Sequence, residues 1–188
     1  MALKKVTEIP TIDVNLVTIK AKDDATEYAL DTASEIETDT QIEETDAVKL
    51  VVKGVLKAQK PKTATLTGHK IKLKDNVFTP ELVKILQGGT ITMDAGNPKK
   101  VLKYEPPKVG EVVKLPPFTL CAYSAIYNAA GQVTGYEKIS YPNCKGEPIS
   151  FNSEDGKFRT PEYTIYSAPD TGQAPYTIEF VDALPQIS

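Results

Sequence analysis

The chain offers few groups for chemistry. It carries one histidine, His69, and two cysteines, Cys121 and Cys144. One His and two Cys hold zinc only with a carboxylate or water added, and no C-x-x-C or H-x-x-x-H spacing is present. A histidine-dependent triad would have to use His69, which sits in Thr67-Gly68-His69-Lys70-Ile71. That segment reads as a strand, so His69 is expected to be a half-buried strand residue and not a base or ligand. Both cysteines are expected to be buried reduced thiols, although pairing between them stays open without geometry. The sequence has no P-loop, no G-x-G-x-x-G after a strand and no G-x-S-x-G. Gly88-Gly89, Gly131 and Gly135 read as turns. Paired carboxylates, as in glycoside hydrolysis, remain available, but acids are so dense that no pair stands out. No catalytic, cofactor-binding or metal-ligating residue is expected.

The elements that would position any such group are mostly strands. Thr, Val, Ile, Tyr and Phe, the types that fit a pleated surface, make about a third of the 188 residues. Gly and Pro are scattered as punctuation, which suggests many short strands. Apolar and polar residues alternate in Ile12-Asp13-Val14-Asn15-Leu16, from Val48 to Ala58, and in His69–Lys74. A period of two marks a strand with one buried face. Phe118–Tyr127 and Val133–Ser140 read as a long hairpin around Asn128–Gln132, with last strands at Glu162–Tyr166 and Tyr176–Val181. One segment departs from this pattern and predicts a helix over about 79–87. Thr79 is placed to cap it, Pro80 sits at its first position, and Glu81 faces the positive dipole end. Phe78 and Val83 are spaced for a staple, and Gly88 is placed to end it. Two turns do not stand alone in water, so Leu82, Val83, Ile85 and Leu86 must pack on a sheet. The fold expected over residues 1–188 is therefore a single mainly β domain, a sandwich or barrel with one short flanking helix. At 188 residues it needs no disulfide or metal staple.

Charge is the most informative pattern. The net charge of −3 argues against a surface that binds nucleic acid or anionic membrane as a whole. No apolar run is long enough to span a membrane, and Met1-Ala2-Leu3-Lys4-Lys5 leads into no apolar signal core. A cytoplasmic origin is expected. Between residues 23 and 46 stand ten acids, Asp23, Asp24, Glu27, Asp31, Glu35, Glu37, Asp39, Glu43, Glu44 and Asp46, with no base among them. Residues 47–74 then hold eight lysines and no acid: Lys49, Lys53, Lys57, Lys60, Lys62, Lys70, Lys72 and Lys74. The acid run, 23–46, reads as an extended loop, and loops that long are usually functional or disordered. If strands 48–58 and 69–74 pair, lysine faces lysine, and something negative must lie opposite. Either the acid run folds back on its own chain, or the acid run of a neighbouring copy supplies it. The second contact is head-to-tail and propagates. Nucleic-acid binding by the lysines is disfavoured, because the chain has a single arginine, Arg159. No calcium loop motif is present in the acids.

Several segments resemble tail tube proteins of phages and prophages of Gram-positive bacteria. They are Thr32–Glu37, Glu43–Leu50, Leu66-Thr67-Gly68-His69, Asp75–Leu82, Leu86–Gly89, Tyr136–Cys144, Phe158–Ile165 and Ala174–Ile178. The resemblance runs from about Thr32 to about Pro185 and leaves Asp94–Pro117 as a variable loop. It implies a homohexameric ring of β-sandwich protomers stacked into a hollow tube, related to the ring protein of type VI secretion. Such a protein has no enzymatic activity. Its partners are its own copies, the tape-measure and other tail proteins, and DNA that passes without being held. It is placed in the host cytoplasm during assembly and then in the virion tail. A tail-like bacteriocin or injection particle would read the same way, and a carbohydrate-binding β-sandwich is the alternative of a different class. A long loop of such proteins reaches a neighbouring subunit. Here that makes Glu35, Glu37, Glu43, Glu44, Asp46, Lys49, Lys53 and Lys57 the candidate subunit contact. Deleting 32–46 is then expected to leave a folded monomer.

Overall fold

Period-two alternation dominates the computed structural model of the protein, which describes residues 7–151 and 153–187. Met1–Lys5, and with them the reading of the N-terminus, lie outside the described residues. Twelve strands and one helix follow in order: β1 Thr11–Ala21, β2 Glu27–Leu30, β3 Ala33–Thr45, β4 Val48–Val52, β5 Val55–Lys60, β6 Thr63–Asp75, α1 Pro80–Gln87, β7 Thr90–Asp94, β8 Asn97–Glu105, β9 Phe118–Tyr127, β10 Val133–Gly146, β11 Glu162–Ser167 and β12 Thr177–Val181. The mainly β expectation holds. No helix among the described residues is long and apolar enough to cross a membrane.

Eight strands form one antiparallel sheet in the order β2-β1-β9-β10-β11-β6-β3. β10 is long enough to take two partners on one edge. Its first half pairs β12 from Tyr136 to Ser140, and its last residues, Cys144 to Gly146, pair β11. Between the two halves Asn143 is left-handed (φ 50°) at a register shift, a bulge that bends the strand. The sheet curls so that its inner face meets itself. Val17 and Ile19 of β1, Ile71 and Leu73 of β6, and Leu120 and Ile165 from the middle strands belong to one core and are wholly buried.

The helix closes this core by burying Leu82, Val83 and Leu86, with Ile85 half-buried. Pro80 stands at its start and Glu81 in its first turn, as the sequence predicts, but the Thr79 side chain makes no capping bond. Asp75 does the local anchoring instead. Its Oδ1 accepts the Thr32 hydroxyl at 2.5 Å and the Val77 N–H at 3.3 Å. At the other end Gly88 takes φ 84°, which a side chain would resist. Gln87 then ties the helix to two other segments. Its Nε2 donates to the Tyr104 hydroxyl at 2.8 Å and its Oε1 accepts the Ile149 N–H at 2.9 Å.

Four expectations need correction. Residues 23–46 are not an extended loop. They hold β2 and β3, and β3 alternates Ile36, Thr38 and Thr40 with Glu35, Glu37 and Asp39 beside β6. The acids mask a strand because its outer face meets lysines. Residues 48–58 are not one strand. The chain reverses at Lys53-Gly54, where φ is 48° and 77°, the two left-handed residues of a tight hairpin turn. Residues 94–117 are not all loop, since β7 and β8 pair there. Gly135 lies inside β10 and not in a turn.

At Gly146 the sheet comes closest to the helix. A Cβ there would lie 2.5 Å from the Leu86 Cβ. Gly146→Ala should therefore lower the unfolding free energy by about 1–3 kcal/mol through overpacking, measured as a reduced urea midpoint at unchanged slope.

Candidate assembly interface

Beyond the body, β3 and β6 continue as a two-stranded arm. Thr45 stands opposite Thr63, and Val48 opposite Lys60. The register therefore runs straight through a short break at 46–47 and 61–62, where Pro61 has no N–H to give the ladder. β4 and β5 then carry the ribbon to the Lys53-Gly54 turn. Every residue from Ile42 to Thr67 is exposed. Among them are Val48, Leu50, Val51, Val52, Val55 and Leu56, each 44–64% exposed. Val51 faces Leu56 and Val52 faces Val55. Successive pairs point to opposite faces, so the tip is apolar on both sides.

The eight residues singled out by charge divide into two groups. Glu35 and Glu37 lie on β3 beside the body and are taken by their own chain. Lys74 Nζ bonds Glu35 at 2.7 Å and Lys72 Nζ bonds Glu37 at 2.9 Å. The Lys72 ammonium holds the Glu37 carboxyl below the usual range, and both lysines are raised in return. Farther out, Glu44 pairs with Lys62, Glu43 stands opposite Thr65, and Asp46 sits at the break. Lys49 faces Gln59, Lys53 forms the turn, and Lys57 is the extra residue where the register shifts between Leu50 and Val51. Among the described residues, Lys49, Lys53 and Lys57 make no ion pair. Folding the acids back on their own chain thus neutralises part of the lysine run and leaves the arm basic. Removing 32–46 would also take away an edge strand of the sheet, so that deletion is not expected to leave a folded monomer.

β12 presents a second unpartnered surface. It pairs β10 on one side and no described strand on the other. Tyr176, Ile178 and Phe180 alternate along it at 42–56% exposure. Sequence reasoning missed this row, because Tyr176–Val181 reads as an ordinary half-buried strand. Strand edges of this kind template pairing with another chain.

The histidine and both cysteines are built into the core and not into a cleft. His69 is only 4% exposed, more buried than its alternation suggests. Its ring lies edge-on to Tyr141 at 5.5 Å and Tyr176 at 5.4 Å, and burial lowers its pKa. Cys121 and Cys144 are free and buried. Burial pushes the Cys144 thiol up to about 12. Among the described residues no group of three His, Cys, Asp or Glu side chains is placed to hold a metal ion.

Two outcomes follow from this burial. Neutral His69 stabilises the fold above the ordinary imidazole pKa of 6.5, and that stability is lost as pH falls through and below it. Urea midpoints should fall between pH 7 and 5, and His69→Phe should flatten that decline. The Glu37 contribution is lost only below its ordinary 4.5. A thiol reagent at pH 7 should not label Cys144 until the chain unfolds, because the thiolate is the nucleophile and burial disfavours it there.

No protein-family model matches the chain, and no curated protein matches it. The chain is similar to several solved structures, three of them as follows. Hcp1 from Flavobacterium johnsoniae is 9% identical, with 89% of this chain and 99% of that one covered, at a TM-score of 0.40. The tube-terminating cap of the anti-feeding prophage is 11% identical over 96% and 97%, at 0.42. A chain of the anti-feeding prophage baseplate is 7% identical over 95% and 97%, at 0.37. Similarity this low carries no function across.

Proposed function

We propose that this protein is a self-assembling structural subunit of a tail tube, built from stacked homohexameric rings around a channel that passes DNA. The observation that carries the reading is the arm. A two-stranded ribbon is at best marginally stable in water, yet this one holds six large aliphatic side chains exposed. Apolar surface of that kind marks an interaction site. The resemblance of the segments around it to tail tube proteins names the assembly, and the tape-measure and other tail proteins are its further partners. A tail-like particle would use the same subunit.

Charge pairing between β3 and β6 is compatible with a conduit wherever this face lies. Lysines left bare would hold phosphate backbones in a salt-dependent grip. Here Lys72 and Lys74 are neutralised by Glu37 and Glu35, and Lys49, Lys53 and Lys57 stand on the arm, away from the body of the sheet. The eight charged residues singled out in the sequence then serve two tasks. Glu35 and Glu37 brace the edge strand, and Glu43, Glu44, Asp46, Lys49, Lys53 and Lys57 belong to the subunit contact.

Negative-stain electron microscopy of the concentrated protein at near-physiological salt tests this. Six-fold rings or hollow tubes are expected. Replacing residues 46–62 by Asn-Gly closes the ribbon where Thr45 meets Thr63, and should give a folded monomer that forms neither. Tubes from the shortened chain would show that the arm is not the assembly element.

A further inference from the structure

We propose that the groove between α1 and β2 is the seat for the arm tip of a second copy of this chain. This rests on the self-assembly reading and adds the receiving surface. The groove has a volume of about 260 Å³ and an apolar floor that includes Tyr28, Ile85, Ile91 and Leu115. Asp24 and Glu81 stand at its rim, with Lys84 the cation beside them. It runs on into a smaller hollow of about 130 Å³ that shares Tyr28 and Glu81. Its floor is apolar and its rim charged, which suits a few apolar side chains flanked by charge.

Charge selects which side chains. The acid and lysine runs cancel only in part within the chain. Glu35, Glu37 and Glu44 are used internally, against Lys74, Lys72 and Lys62. Among the described residues, Asp24 and Glu81 at the groove form no ion pair, and neither do Lys49, Lys53 and Lys57 on the arm. The groove is apolar with two acids and one lysine at its rim, and the tip, residues 48–60, is apolar with four lysines and no acid. Opposite potentials of this kind set register and orientation.

Chain length disfavours docking within one chain. The groove lies beside the β1–β2 turn, a few residues before β3 begins, and the arm leaves from the far end of β3. Twelve residue steps from Ala33 to Thr45, at ~3.3 Å each, span at most ~40 Å along β3. The seven steps from Asp46 to Lys53 reach back only ~23 Å, even if the ribbon folds double at its break. The tip of one copy therefore enters the groove of another. Each docked copy keeps one free groove and one free arm, so the contact is head-to-tail and propagates.

Sedimentation velocity on charge-reversed full-length chains tests the pairing. Lys53→Asp keeps the turn, because Asp-Gly suits two left-handed residues. Glu81→Lys reverses the rim on the half-exposed side of α1. Each variant alone should lose the large species that the wild type forms. Mixed together they should recover large species of alternating copies, because the native arm of one fits the native groove of the other and the reversed arm fits the reversed groove. The double variant should recover large species. If both single variants assemble like the wild type, the groove is not the seat and self-assembly stands. A wild type that stays monomeric at every concentration overturns both. Should Glu81→Lys fail to fold, mixing Lys53→Cys with Glu81→Cys under mild oxidation gives an independent reading. A disulfide-linked heterodimer is expected, and only background cross-linking would overturn the seat.

Discussion

A two-stranded ribbon has no interior, and that constraint governs this molecule. Between Ile42 and Thr67 each side chain has water on one face or a neighbour across the ladder, and nothing behind it. Polar side chains tolerate that state, but Val51, Val52, Val55 and Leu56 do not. No described element of the chain covers them. The rest of the fold can be understood as a rigid mount for this arm. β3 and β6, which carry it, are held to the body by the β6–β11 ladder and by the shared core beneath Ile71 and Leu73.

The cross-strand ion pairs serve the mount more than the stability ledger. Exposed pairs such as Glu35–Lys74 contribute little energy, because water screens them. Their value lies in register. Shifting β3 by one residue would set Glu35 and Glu37 on the core face and Ile36 in solvent. The pairs also spend the charge that would otherwise leave lysines bare on the sheet. Beyond them the arm tip, residues 48–60, carries four lysines and no acid.

Much of the body was legible in the sequence. The β9–β10 hairpin, β11, β12 and the helix were readable because period-two alternation and helix-end residues are local signals. Two features were hidden for physical reasons. β3 carries acids on its outer face at a density typical of loops, and only the lysines of β6 across the ladder explain them. The turn at Lys53-Gly54 lacks the Asn or Asp that usually marks such turns, and alternation runs through it without interruption. The candidate interface was half legible. Its charges stood out, but which of them neutralise one another is set by register. The groove was not legible at all, since its lining comes from β1, β2, α1, β7 and the segment before β9.

The central claim is that the arm is covered in the assembled protein, and hydrogen–deuterium exchange of the amides in residues 48–60 measures that directly. In dilute monomer this isolated ribbon should exchange fast, near the rate of its unfolded sequence, because its ladder opens readily. In concentrated or pelleted protein the same amides should slow by orders of magnitude, while those of β9 stay slow in both. Fast exchange of 48–60 in assembled protein would contradict the claim, for it would leave the arm in water within whatever structure the subunits had built.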